Sequence, residues 1–371
     1  MRFSLFRSAT YAGFAVSVTL LSVASAHAQI RIVSYNIASS SGNGTPRTGL
    51  DTILQAIGTE QRGGVSTPIG VLLLQESLSA QTTAATVASQ LNTIYGAGRY
   101  ATGTLNGGTT GSGTQSIVFN TQVVQLLNET TVGATSANGL ARQELRYRLR
   151  PVGAGSDGDF FVYNGHWKSA DDSASQARRN VEAQAIRADV DGLGQGVQAI
   201  FTGDFNLYTS GETAYQTMLS AGAGQAFDPI NRPGSWHSNA AFQDIFTQAP
   251  SANPPSGLTG GGLDDRFDFQ LFTNELTDGA GLEYVSGTYG TFGVNGSVAV
   301  NGSINDASNT ALAGLSNRQQ VLNLLTTVSD HLPVVADYRY VSVTAAPEPG
   351  AMGLVLLGAG VWAVAQRRKK F

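Results

Sequence analysis

Gln198-Ala199-Ile200-Phe201-Thr202-Gly203-Asp204-Phe205-Asn206 is a short apolar run that stops at a glycine and then presents a carboxylate and a carboxamide. A run of this length, bounded by turn residues, reads as a strand buried on both faces. Its polar end is where chemistry can be carried. The same design recurs along the chain. The strand at 30–36 ends in Asn36, the strand at 69–75 runs into Glu76, and the strand at 160–166 ends in Asn164-Gly165-His166. The strand at 266–272 carries Asp268, and Ser329-Asp330-His331 stands directly before the strand at 332–340. A further strand is expected at 115–120. If these ends meet, one rim collects four carboxylates, two carboxamides and two imidazoles.

Helical patterns lie between some of these strands. Ser79 is placed to cap a helix running to about Tyr95. The segment 172–193 sets Ala177, Val181, Ala185 and Val190 on roughly one face with arginines opposite. Shorter helices are expected at 47–61 and 317–327. Strands also follow strands directly, around 115–128 and 142–166, which predicts two packed sheets with helices outside rather than one doubly wound parallel sheet. The Gly- and Ser/Thr-rich stretches 38–46, 103–114, 251–262 and 279–303 read as surface loops. No repeat or long linker divides the chain, so a single domain is expected over 29–346.

Both ends read as addresses. Arg2 and Arg7 precede an apolar run at 9–24, and Ala26-His27-Ala28 has the small-x-small form of a signal-peptidase site, so 1–28 is expected to be removed. At the other end Pro347-Glu348-Pro349 precedes an apolar stretch at 350–365 and then Arg367-Arg368-Lys369-Lys370. That stretch is short against the roughly twenty residues a bilayer asks for. The order of the tail, 347–371, resembles a PEP-CTERM sorting signal. The resemblance implies export from a Gram-negative bacterium, transient inner-membrane anchoring, processing by an exosortase, and a cell-surface or extracellular destination; the alternative is a permanent transmembrane anchor.

Charge limits the choice of partner. Residues 29–346 hold sixteen Lys+Arg against twenty-five Asp+Glu, a net charge of −9, and Lys168 is the one lysine among them. A protein that holds nucleic acid by general phosphate neutralisation is normally basic. Any polyanion would have to be handled by a local site. The chain has no cysteine, so it must be stable through burial alone.

The rim's residue types suit phosphodiester hydrolysis, which needs a base or metal to make hydroxide and a cation to neutralise the phosphoryl oxygens. An oxygen-rich set of Glu, Asp and Asn favours Mg²⁺, with Mn²⁺ or Ca²⁺ as alternatives, over zinc. The series Ser34-Tyr35-Asn36, Gln75-Glu76, Asn164-Gly165-His166, Gly203-Asp204-Phe205-Asn206, Arg266-Phe267-Asp268-Phe269 and Ser329-Asp330-His331 resembles the endonuclease/exonuclease/phosphatase superfamily, over essentially 30–341. That resemblance implies a four-layered α/β sandwich of the deoxyribonuclease-I type. It implies a metal held by Glu76 with Asn36 and Asp330 near or on it, and an attacking water oriented by Asp204 and Asn206. His331 held by Asp268 would serve as general acid/base or bind phosphate, and His166 would donate to a phosphoryl oxygen. Arg142, with Arg146 and Tyr147 as rivals, is a candidate phosphate contact, as is Lys168. Asp264 competes with Asp268, and Trp236-His237 reads as packing rather than as a base-stacking platform. The expected partner is nucleic acid or another phosphodiester, met by a monomer.

Overall fold

The computed structural model describes residues 29–107, 112–134 and 142–342. The leader and tail assigned to 1–28 and 347–371 lie outside the described residues. Among the described residues no helix is long and apolar enough to cross a membrane.

In chain order the elements are β1 (Gln29–Ser39), α1 (Leu50–Thr59), β2 (Ile69–Ser77), α2 (Ala85–Tyr95), β3 (Tyr100–Thr102), β4 (Thr114–Asn120), β5 (Val124–Val132), β6 (Glu144–Pro151), β7 (Phe160–His166), α3 (Ser173–Gly192), β8 (Ala199–Asp204), α4 (Thr213–Leu219), β9 (Ala226–Phe227), β10 (Asp268–Thr273), β11 (Gly281–Tyr284), β12 (Gly290–Thr291), α5 (Arg318–Val328) and β13 (Val334–Val341). They form two sheets. The first runs β11-β13-β1-β2-β4-β3, with β12 also on β13, and the second runs β5-β6-β7-β8-β10-β9. Each sheet has one parallel pair at its centre, β1 with β2 and β7 with β8. A parallel pair needs a crossover, and here α1 and α3 supply the two.

The strand period of two sorts the core into three layers. Ile30, Ile32, Val71, Leu73, Phe160, Val162, Ile200 and Phe272 face the space between the sheets. Their neighbours Val33, Tyr35, Leu72, Leu74, Tyr163, Phe201 and Leu271 belong to the clusters that receive the helices. Two mixed sheets packed face to face with helices outside are the architecture the chain's pattern predicts.

Continuing along the inner faces, the apolar layer gives way to amides. Gln75 Nε2 donates to Asn164 Oδ1 at 2.7 Å and to Ser34 Oγ at 3.2 Å. Asn164 Nδ2 donates to the carbonyls of Leu74 and Ser116. Gln270 Nε2 crosses to the carbonyls of Ile32 and Val334. These side chains are wholly buried, and the bonds they exchange offset the cost of placing them there. They stitch one sheet to the other one layer below the strand ends.

Two readings of the sequence need correction. The segment 279–303 is not all loop, because β11 and β12 within it pair with β13. In α3 the inward face is not the one expected: Val181 is 49% exposed, whereas Arg179, Glu182, Ala183, Ile186, Arg187 and Val190 are buried. The helix covers polar loop backbone as well as sheet, and that backbone needs charged partners. Ser79 does cap its helix, accepting from the Thr82 N–H, and Asp172 caps α3 by accepting from the Ala174 and Ser175 N–H groups.

Candidate active site

The strand ends do meet. On the inner faces the series 30-32-34-36, 160-162-164-166, 200-202-204 and 272-270-268 brings Asn36, His166, Asp204 and Asp268 to one level, just above the amide layer. Register fixes their neighbours: His166 pairs with Asp204 across β7 and β8, and Asp268 with Asp204 across β8 and β10. Gly165 and Gly203 pair one residue below. A Cβ on Gly203, which sits at φ +142°, would lie 2.0 Å from the Gly165 carbonyl oxygen. The glycine of Gly-Asp-Phe-Asn therefore lets two strands pinch together beneath His166 and Asp204.

Glu76 lies outside the parity of β2. It takes φ +53° beside an irregularity in the pairing of β2, and Asn206 takes φ +51°. Left-handed backbone at non-glycine residues is uncommon and costs energy; here it turns both side chains to the rim. Asn36 Nδ2 donates to Glu76 Oε1 and to Asp204 Oδ2, each at 3.1 Å. Its Oδ1 accepts from the Ala38 N–H. Asn36 thus orients two carboxylates, and it would have to turn its carboxamide over to offer oxygen to a cation.

Asp204 and Asp268 face each other directly, an arrangement that repels. His331 relieves it, with Nδ1 2.8 Å from Asp268 Oδ2 and Nε2 3.5 Å from Asp204 Oδ2. Burial alone would drive a proton off His331, but the Asp268 and Asp204 carboxylates outweigh it and hold the ring well above its ordinary pKa. Asp204, only 1% exposed, is pushed up to about 7 by burial, with the charges of Asp268 and Glu76 adding to the effect and His331 opposing it. Asp204 Oδ1 also accepts from the Asn206 N–H, and Asn206 Nδ2 donates to the Trp167 carbonyl.

His166 Nε2 lies 3.5 Å from Asp204 Oδ2 and 3.9 Å from Glu76 Oε1. Burial, followed by the charge of Arg142, holds its pKa well below the ordinary value. A neutral imidazole facing two carboxylates presents N–H to them, as a donor to a phosphoryl oxygen must. Asp330 is half-buried and its Oδ2 accepts from the Thr259 N–H; its charge and, first of all, burial raise Glu76.

Arg142 is nearly buried beside the site. Its Nη1 donates to the carbonyls of His166 and Trp167 and its Nη2 to Ser112 Oγ. Its rivals are elsewhere: Arg146 pairs with Asp189 of α3, and Tyr147 is buried between the sheets. Lys168 Nζ turns to Ser169. Asp264 does not take the place of Asp268. Trp236 is packed as expected, against Tyr215 and Phe269. His237, though, has a half-exposed side chain and lies 2.8 Å from Asp265, with Asp264 beside them. Arg266 pairs with Asp228 through two bonds of 2.7 and 3.0 Å, and so anchors the 207–265 connection.

Gln248 escaped the sequence reading. Its Nε2 lies 2.7 Å from His331 Nε2. A neutral ring accepts that amide hydrogen; an imidazolium instead takes the carboxamide turned end for end, oxygen inward. Gln248 sits in a connection without periodicity, and only its backbone bridges to Asp265 and His331 bring it to the site.

Carboxylates dominate the donors here. Among the described residues Asp204, Asp268 and His331 bring ligand atoms within 4.8 Å of one another, as do His237, Asp264 and Asp265. Such oxygen-rich sets fit a hard divalent cation; Glu76 and Asp330, the ligands the motif series implies, belong to neither set.

The structure resembles that of D. rerio TDP2 complexed with single strand DNA product, at a TM-score of 0.52 and 17% sequence identity, over 84% of this chain and 99% of that one. It resembles the endonuclease/exonuclease/phosphatase from Bacteroides vulgatus at a TM-score of 0.51 and 16% identity, over 84% and 99%. No family model matches the sequence, and no curated protein does. At such identities the likeness shows the fold, and the fold is the deoxyribonuclease-I-like sandwich that the motif series implies.

Proposed function

We propose that the protein is a divalent-metal-dependent phosphoester hydrolase that acts on phosphodiesters, with nucleic acid as the first substrate class to test. One observation carries this reading: Asp204 is the common neighbour of Asn36, His166, Asp268 and His331, at the meeting of strand ends from both sheets. Glu76 and Asp330, with Asn36 adjacent, would hold the cation, which when bound would supply charge neutralisation and a more acidic water. Asp204, fixed by Asn36 and Asn206, takes the proton of the attacking water. His331 and His166 meet the phosphoryl oxygens as N–H donors, and Asp268 keeps the His331 ring in place. Arg142 adds positive charge behind His166. Support for nucleic acid comes from the DNA product bound by the structurally similar TDP2. The net charge of residues 29–346 counts against nucleic acid and anionic lipid alike, and the second reading is a small phosphoester or lipid headgroup handled by the same residues.

The test is the purified protein on plasmid DNA, RNA, a chromogenic phosphodiester, a phosphomonoester and sphingomyelin, with Mg²⁺ and with chelator. Metal-dependent phosphodiester cleavage is expected, lowered by a factor of at least about 10³ in Asp204→Ala and His331→Ala. Full activity in chelator or in either variant would overturn the assignment. Export through the 1–28 and 347–371 segments belongs to the same reading, and a secreted form beginning at Gln29 and lacking the basic tail is its expected mark.

A further inference from the structure

α3 buries an arginine and a glutamate on a face other than the expected apolar stripe, and the hydrolytic reading alone does not say why. Arg179 and Glu182 lie one turn apart, with 0% and 1% exposure. Glu182 accepts two backbone N–H groups, Arg142 at 2.7 Å through Oε1 and Lys168 at 3.0 Å through Oε2. Arg179 donates to the carbonyls of Lys168 and Ala170 and, through Nε, to Glu212 Oε2 at 2.8 Å. Glu212 Oε1 accepts the Tyr208 N–H at 2.9 Å. Three segments thus converge on one helical turn: those that carry Arg142, His166 and Asn206.

We propose that Glu182, with Arg179, is a positioning residue for the site, fastening the Arg142, His166 and Asn206 segments into one frame. Both carboxylate oxygens must accept for this frame to close. A protonated carboxyl or an amide would set a donor against one of the two N–H groups, leaving a buried donor unpaired. Glu144, wholly buried beside Glu182, is pushed far above the carboxylate range by burial and then by the charge of Glu182, against the charge of Arg142 and the His166 backbone. Burial raises Glu182 as well, to about 7, against the Arg142 and Lys168 N–H groups and the charges of Arg142 and Arg179, so the two-acceptor frame is complete once Glu182 is ionised. The effect on chemistry is indirect: Arg142 Nη1 and Asn206 Nδ2 meet at the Trp167 carbonyl, so a shift of one segment displaces His166 and Asn206 together.

The proposal rests on the hydrolytic reading for its kinetic readout and is independent of it for its structural one. Glu182→Gln keeps the shape and loses one acceptor. It should fold, lower kcat about tenfold to a hundredfold and leave KM and the metal requirement unchanged. Its His166 imidazole resonances should move while those of His237 stay. Glu182→Asp, which retains two acceptors, should recover part of kcat. Ala183→Gly, a buried α3 site that bonds to none of the three segments, should lower stability and leave kcat intact. Wild-type kcat and unmoved His166 resonances in folded Glu182→Gln would overturn the proposal. If the wild-type protein hydrolyses no phosphoester, the hydrolytic reading fails and the His166 resonances alone decide the clamp.

Discussion

Asp204 shows what the site demands of one residue. Burial raises its carboxyl from 3.8 to about 7, so the native state binds this proton more tightly than the unfolded chain does. Native stability contributed at Asp204 is therefore highest in acid and is lost as pH climbs from about 4 through 7. Turnover needs the deprotonated form and should rise across the upper part of the same range. Asp204→Asn separates the two effects: it should abolish turnover yet raise Tm by a few degrees at pH 8, as read by calorimetry across pH. A bound divalent cation favours the carboxylate, so added Mg²⁺ should move the activity limb to lower pH. A limb unmoved by Mg²⁺, or an Asn variant less stable than wild type at pH 8, would show that Asp204 is not the buried base described.

Among the elements, the pinch between β7 and β8 places His166 next to Asp204. Gly203→Ala would force its Cβ into the Gly165 backbone, and backbone has no rotamer to retreat into. A loss of about 3 kcal/mol is expected in urea unfolding, with activity lost even in the fraction that remains folded; a stable, active Ala variant would contradict the geometry. This level also shows what could be read beforehand. Strands such as β1, β2, β7, β8 and β10 were legible as short apolar runs bounded by turn residues, and the parity of a strand sets alternate residues on one face until a polar one ends the series. The same parity put Asn36, His166, Asp204 and Asp268 on one level. The buried face of α3 was not legible, because Arg179 and Glu182 are buried by loop backbone that no helical period announces. β11 was hidden for a related reason: four residues in a glycine-rich stretch form a strand only because β13 offers an edge. Gln248 left no local trace, since its position depends on two distant bridges.

Over the whole molecule, residues 29–346 carry −9, and their cations are largely engaged: Arg146, Arg148, Arg150, Arg179 and Arg266 all face carboxylates. A nucleic-acid strand would find few phosphate partners beyond the cation and the histidines. Raising salt from 50 to 200 mM should therefore weaken substrate binding by no more than about 16-fold, a slope of log KM against log salt of about 2 or less in magnitude; a steeper slope would reveal a basic track that the described residues do not show. The amide layer that joins the sheets has a consequence for traffic. Beneath Asp204 the way is closed first by Gln75, Asn164 and Gln270 bonded across the gap, and then by hydrocarbon. In the proposed hydrolase, water, proton and departing product would all use the same doorway, and whatever occupied that doorway would control every passage at once.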